Sequence, residues 1–331
     1  MTMRRTRGIR LLALTAVVAL AAAACSSGGK EKTDDTTTGG GNAAGSSGYT
    51  IAFVTHETPG DTFWDKIKAG AQQAAKDTGV TLKYSNDPDA TKQAVLIQNA
   101  VDSKVNGIAT TLVTPAALAG AVKSATDAKI PVVALNAGLD QYKQLGALMY
   151  FGSDESVAGE AGGERIAQAG AKHPLCVIHQ AGSVALEARC AGVKKSASAT
   201  ENVQVNGADD AAVTSTLQAK LSQDKSIDYV VTLGAQVALD AIKAKEAAGS
   251  QAKIVTFDLD QEIAQAIQDG KVEFAIDQQP YVQGYMAVTS LYLYLKNGND
   301  IGGGKAVLTG PSFVDKTNIA TILPYTKNNT R

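Results

Sequence analysis

The stretch Lys253–Tyr285, KIVTFDLDQEIAQAIQDGKVEFAIDQQPYVQGY, decides the fold. An apolar run ends on Asp258, an amphipathic segment follows to Gly270, and a second apolar run ends on Gln278 and Gln279. This pattern predicts strand, helix, strand, with a polar residue at the carboxyl end of each strand. In open α/β sheets ligands sit where strands end and helices begin, so Asp258 and Gln278 are candidates to hold one. A polar strand end can also serve only as a helix cap or turn residue.

Outward from this stretch the same alternation continues. IAFV (51–54) reads as a strand, and Asp61–Thr78 as an amphipathic helix with Phe63, Ile67, Ala71 and Ala74 on one side. VTLKY (80–84), a helix from about Ala90 to Ser103, GIATTLV (107–113), a helix over Pro115–Ala128 and IPVVAL (130–135) follow. Apolar runs alternating with helices of this length predict an α/β fold, its parallel strands joined by crossovers and its helices on both faces.

The chain also repeats itself. Asp89–Asn136 reads as helix, strand, helix, strand, and Asp210–Asp258 reads the same way. Landmarks at Gly107 and Asn136 recur at Asp228 and Asp258, offset by 121 and 122 positions. Two similar halves predict two lobes with Asn136 and Asp258 at equivalent strand ends, and a cleft between lobes is the natural binding place.

The amino terminus lies apart from this pattern. Arg4, Arg5, Arg7 and Arg10 precede an apolar run, Leu11–Ala24, that is too short to span a bilayer comfortably, which predicts an export signal over 1–24. LAAAAC resembles the lipobox of bacterial lipoproteins, which implies a diacylated Cys25 as first mature residue. Several lipid chains anchor stably where one is marginal. Removing the signal leaves 27 Lys and Arg against 32 Asp and Glu, a net charge near −5, which disfavours nucleic acid as a partner. The rest of 25–48 carries almost nothing apolar and predicts a flexible tether. Cys176 and Cys190 remain. In an oxidising compartment a bond between them would close a loop of about 15 residues and contribute roughly 3 kcal/mol; two buried thiols are the alternative.

DTFWDKIKAGAQQAA, KIPVVALN, ALEARCAG, and KIVTFD followed by DGKVEFAIDQQP, in this order behind a lipobox, resemble the ribose-binding branch of periplasmic sugar-binding proteins, the solute receptors of ATP-driven importers. The resemblance spans Tyr49 to about Val314. It implies the type I periplasmic binding protein fold, two doubly wound parallel-sheet lobes on a three-crossing hinge near Ser153, Gln278 and Gly310. Lobe 1 would be 49–152 plus 279–310, and lobe 2 would be 153–278 plus 311–331.

Free sugars need flat apolar faces for ring C–H groups and planar polar groups for hydroxyls. Phe63 and Trp64 can supply the first, with core packing of their helix as the alternative. The second falls to Asn136, Arg189, Asp258 and Gln278, of which Arg189 could instead pair with Glu187 at the surface. By resemblance, Asp61, Phe63, Asn136, Arg189, Asp258 and Gln278 fall on sugar-contacting positions, and Trp64 on a neighbouring aromatic one. His56 and His179, near the ends of apolar runs, could also reach the cleft, and His173 reads as a loop residue.

The departures from the ribose receptors bear on the ligand. Where they have Asp-Arg after the fourth strand, this chain has Asn136 and Ala137; where they have an asparagine, it has Gly234; and an aromatic position becomes Ala208 or its neighbour. The loop before Asp61 is about two residues longer and carries His56, Glu57 and Thr58. A pocket that loses a guanidinium and gains volume predicts a larger sugar, a polyol or a cyclitol rather than ribose.

HExxH, CxxC, GxGxxG, Walker-type GxxxxGK and GxSxG are all missing from the sequence, so it implies no metal, no cofactor and no enzyme. The function read here is a lipid-anchored monomer on the outer face of the cytoplasmic membrane that delivers its ligand to ABC permease subunits. A co-receptor for a membrane signalling protein and an extracytoplasmic hydrolase are the alternatives.

Overall fold

The computed structural model describes residues 45–331. The predicted signal 1–24, Cys25 and the tether as far as residue 44 lie outside the described residues. The last residues of the expected tether, 45–48, lie against the end of the first helix. Ser47 donates its N–H to the carbonyl of Gly79 at 2.8 Å. Gly79 has φ 70°, and a Cβ there would stand 2.1 Å from the carbonyl oxygen of Gly45, so this close approach needs glycine.

Alternating apolar runs form two six-stranded sheets. The first holds β1 (Thr50–Thr55), β2 (Thr81–Asn86), β3 (Gly107–Thr111), β4 (Val132–Leu135), β5 (Met149–Ser153) and β11 (Val307–Gly310), in the order β11-β5-β4-β3-β1-β2. The second holds β6 (Pro174–Ile178), β7 (Glu201–Gln204), β8 (Tyr229–Thr232), β9 (Lys253–Phe257), β10 (Phe274–Asp277) and β12 (Ser312–Asp315), in the corresponding order β12-β10-β9-β8-β6-β7. Every pairing is parallel except that of β12 with β10. The fold class is thus the doubly wound α/β class of the sequence reading, with one antiparallel edge strand added.

Side-chain alternation along each strand feeds both faces of its sheet. Ile51 and Phe53 of β1 pack under α1 (Phe63–Thr78) and α9 (Pro280–Asn297), while Ala52 and Val54 pack under α2 (Ala90–Asp102) and α3 (Pro115–Asp127). In the second sheet, Leu175 and Val177 of β6 face α6 (Asp210–Gln223), α7 (Ala235–Ala248), α8 (Gln261–Asp269) and α10 (Ile319–Thr326). Cys176 and Ile178 face α4 (Glu155–Gln168) and α5 (Val184–Ser196). Cys176 is bonded to Cys190, with an S–S distance of 1.97 Å, which ties α5 to β6.

Paired helices approach closely where their facing residues are glycine. A Cβ at Gly70 of α1 would stand 2.0 Å from the carbonyl of Tyr281, and one at Gly159 of α4 would stand 2.2 Å from that of Arg189. The second of these contacts brings the backbone of Arg189 against α4. Three chain segments pass between the sheets: after Ser153, at Gln278–Gln279, and at Pro311, which follows Gly310 through a cis peptide bond.

Candidate functional site

A cleft of about 1100 Å³ opens between the two sheets at the carboxyl ends of their strands. Its place follows from the strand order, which reverses at β1–β3 in one sheet and at β6–β8 in the other; such switch points leave a crevice for a ligand. All of the sequence-predicted contacts line it: Asp61, Phe63, Trp64, Asn136 and His56 from the first lobe, and Arg189, Asp258, Gln278, His179 and Gly234 from the second and from the hinge.

Asn136 and Asp258 directly follow β4 and β9, with φ of 65° and 66°. Asn and Asp are the residue types, after glycine, that best tolerate this left-handed region. Each backbone N–H donates across to the next strand at 2.9 Å, Asn136 to Phe151 and Asp258 to Ile276. Gln278 stands between the two side chains. Its Oε1 accepts from Nδ2 of Asn136 at 3.2 Å, and its Nε2 donates to Oδ1 of Asp258 at 2.7 Å. The three buried groups form one planar polar chain across the cleft floor.

Arg189 is 3% exposed. Its Nε donates to Oε2 of Glu155 at 2.6 Å, its Nη1 donates to the carbonyl of Leu233 at 2.9 Å, and Nη1 lies 3.8 Å from Oδ2 of Asp258. The guanidinium also lies 4.5 Å from the centre of the Phe257 ring. Glu155, not Glu187, is its partner. Burial pushes the Asp258 carboxyl up to about 7, against the pull of Arg189 and of the Gln278 hydrogen bond. Asp61, whose Oδ1 accepts from the N–H of Phe63 at 3.0 Å, is also raised by burial.

The aromatic wall is built at the start of α1. Phe63 and Trp64 meet edge to face at 5.2 Å, and His56 stands edge-on to Trp64 at 4.7 Å. Both aromatics line the cleft and also belong to the core of the first lobe, so the two alternatives in the sequence hold together. His56 shares a 2.8 Å hydrogen bond between its Nδ1 and Oγ1 of Thr111. Burial first and nearby His179 second push its pKa down to about 3, so the ring is neutral.

Ala137, next to Asn136, sits at the lobe interface. Ala137 does not itself line the cleft but is buried with Val113 and Ala185 in a small apolar contact between the lobes. The N–H of Val184 donates to the carbonyl of Val113 at 3.3 Å beside it. A second interlobe contact lies outside the cleft lining, where Oγ1 of Thr62 donates to Oδ2 of Asp260 at 3.2 Å. Next to it, Lys66 is 1% exposed and donates to the carbonyl of Thr62 at 3.1 Å.

Sequence reasoning missed Pro88 and Asp89, which follow β2, and, of the loop after β7, marked only Ala208 and its neighbour although Asn206–Asp210 all line the cleft. The signal that marked Asp258 was present there too, since polar runs NDPD and NGADD follow those strands.

Residues 51–300 match the family described as periplasmic binding protein domain. The chain belongs to this family. Family members act outside the cytoplasm, and no helix among the described residues is long and apolar enough to cross a membrane. Among its relatives, the xylose/arabinose-binding protein XylF of Sulfolobus acidocaldarius is 25% identical over 83% of this chain and 73% of its own length. The ribose import binding protein RbsB of Haemophilus influenzae is 28% identical over 77% of this chain and 88% of its own. Among solved structures of the family, a carbohydrate transporter from Acidothermus cellulolyticus 11B, in complex with myo-inositol, is 56% identical with a TM-score of 0.84, covering 86% of this chain and 99% of that one.

Proposed function

We propose that this protein is the extracytoplasmic, lipid-anchored solute receptor of an ABC importer, and that it captures a cyclitol of the myo-inositol type between its lobes. The observation that carries the reading is the cleft itself, in which Asn136, Gln278 and Asp258 draw planar polar groups from both lobes and the hinge into one chain beside an aromatic wall. A ligand that engages both walls stabilises only the closed arrangement, so binding drives closure. The 56% identical structure in complex with myo-inositol supports the choice of ligand.

Cyclitols have no anomeric carbon and present hydroxyls around the whole ring, which suits amide, carboxylate and guanidinium groups on opposite walls. Three or four such hydrogen bonds, at about 1 kcal/mol for neutral and about 1.5–3 kcal/mol for charged ones, together with ring contact account for micromolar binding, about −8 kcal/mol. The closed surface of the monomer then docks on permease subunits, which a lipid on Cys25 and the following linker keep within reach.

Calorimetry on the soluble protein from Tyr49, with myo-inositol, its stereoisomers, ribose, xylose, glucose and galactose, tests this. Tightest binding by an inositol is the expected result. Ribose binding tightest would overturn the ligand assignment, and no binding across the panel would overturn the receptor reading.

A further inference from the structure

His179 occupies a seat that two other loops leave open for it. It directly follows β6, and its side chain lines the cleft. A Cβ at Gly207, in the loop after β7, would stand 2.9 Å from the carbonyl oxygen of His179, 3.0 Å from its Cβ and 3.1 Å from its Cδ2. One at Gly234, in the loop after β8, would stand 3.2 Å from its Cε1 and 3.6 Å from its Nε2. The N–H of Gly207 donates to the carbonyl of His179 at 2.9 Å, which fixes the backbone beneath the ring. Three loops of the second lobe thus converge to hold one imidazole.

The ring is not consumed by the fold. Its Nδ1 is buried and has no hydrogen-bond partner in the protein among the described residues. Nε2 makes no hydrogen bond among the described residues either and, unlike Nδ1, is not closed off from solvent, so it is the ring nitrogen a ligand can reach. Across the cleft, His56 spends its Nδ1 on Thr111 and lines the same space. Burial first and the Arg189 charge second push the His179 pKa down to about 4, so near neutral pH the ring is neutral and its Nε2 can donate to, or accept from, a hydroxyl.

We propose that His179 is a specificity-determining residue: seated between Gly207 and Gly234, its imidazole hydrogen-bonds a ring hydroxyl of the ligand and selects a cyclitol over a pentose. Position 234 is where the resembling ribose receptors carry an asparagine. Here the side chain is deleted at 234 and a hydrogen-bonding ring is supplied from 179, so the polar group reaches the cleft from a different loop. The inference rests on the receptor reading above and names the residue that sets its choice of ligand.

Calorimetry with myo-inositol and D-xylose on the unaltered soluble protein, His179→Ala, His179→Gln, and the double variant His179→Ala/Gly234→Asn tests it, with thermal melting as the fold control. Losing one well-placed hydrogen bond in a site built for it lowers affinity about 10- to 100-fold. His179→Ala is expected to lose that much for myo-inositol and less than about threefold for xylose, with partial recovery in His179→Gln. The double variant is expected to shift the preference toward xylose. Equal loss for both ligands, or His179→Ala binding myo-inositol as the unaltered protein does, overturns the inference while leaving the receptor reading intact. Failure of the unaltered protein to bind any inositol or sugar overturns both. If His179→Ala does not fold, His179→Gln and Gly234→Asn alone carry the same comparison, because an asparagine at 234 must displace the ring.

Discussion

Asn136 and Asp258, 122 positions apart, end corresponding strands with left-handed φ of 65° and 66° and reach the same glutamine from opposite lobes. Backbone strain and binding are therefore joined at each position. Asn136→Gly keeps the turn and deletes the amide; Asn136→Val deletes the amide and adds the left-handed penalty of about 1–2 kcal/mol. Affinity is expected to fall about 10- to 100-fold in both variants, and thermal stability to fall appreciably only in the valine variant. Melting curves beside calorimetry separate the two effects, and equal loss of stability in both would contradict this account.

Thr62 and Asp260 act on every ligand alike, since their 3.2 Å hydrogen bond joins the lobes away from the cleft lining. Thr62→Val removes the donor at similar volume. Closure then loses about 0.5–1.5 kcal/mol, and affinity should weaken about two- to tenfold with the ratio between any two ligands unchanged. A changed ratio, read by calorimetry with two inositols, would show that Thr62 senses the ligand itself.

Cys176 and Cys190 constrain the unfolded chain through a loop of about 15 residues, worth about 3 kcal/mol. Cys176→Ser/Cys190→Ser should lower Tm by about 5–10 °C. Ligand affinity should change little, because the pair sits behind α5 in the core of the second lobe rather than in the cleft. Differential scanning calorimetry with and without ligand checks both statements.

His56 and His179 make the folded state sensitive to acid. Their folded pKa values, about 3 and about 4, lie below the ordinary 6.5, so as pH falls below 6.5 the unfolded chain binds protons that the native state refuses. Stability is complete above 6.5 and is lost as pH falls toward 4, by up to about 1.4 kcal/mol per pH unit for each ring. Asp258, raised from 3.8 to about 7, works in the opposite direction across that whole window, because the native state holds a proton there that the unfolded chain has released, and it offsets about one of the two rings. His56→Asn should therefore lose stability less steeply between pH 6.5 and 4 than the unaltered protein. Urea unfolding across that range measures the two slopes, and parallel slopes would refute the assignment.

Much of this site could be read before folding because one rule placed it: a polar residue closing an apolar run sits at a strand's carboxyl end. Asp258, Gln278 and Asn136 were found that way, and the repeat doubled the signal. What stayed hidden has no period and no local neighbour. Glu155 lies 34 positions from Arg189, and Asp260 lies 198 from Thr62, so neither partnership leaves a mark in a window of sequence. Lys66, a charge on the first helix, is nonetheless buried, with no local mark in the sequence to announce it. Ala137 is placed by a similar long-range contact. Its contact with Val113 and Ala185 joins residues far apart in the chain, and that pairing leaves no local trace.

The threading of the chain also limits how far it can be shortened. Each sheet takes its sixth strand from the far end of the polypeptide, β11 at Val307–Gly310 and β12 at Ser312–Asp315. A chain cut before residue 307 therefore leaves β5 and β10 as bare edges, one in each lobe. The short stretch from Val307 to Asp315 thus supplies an edge to both lobes at once, and a truncation there damages the two together.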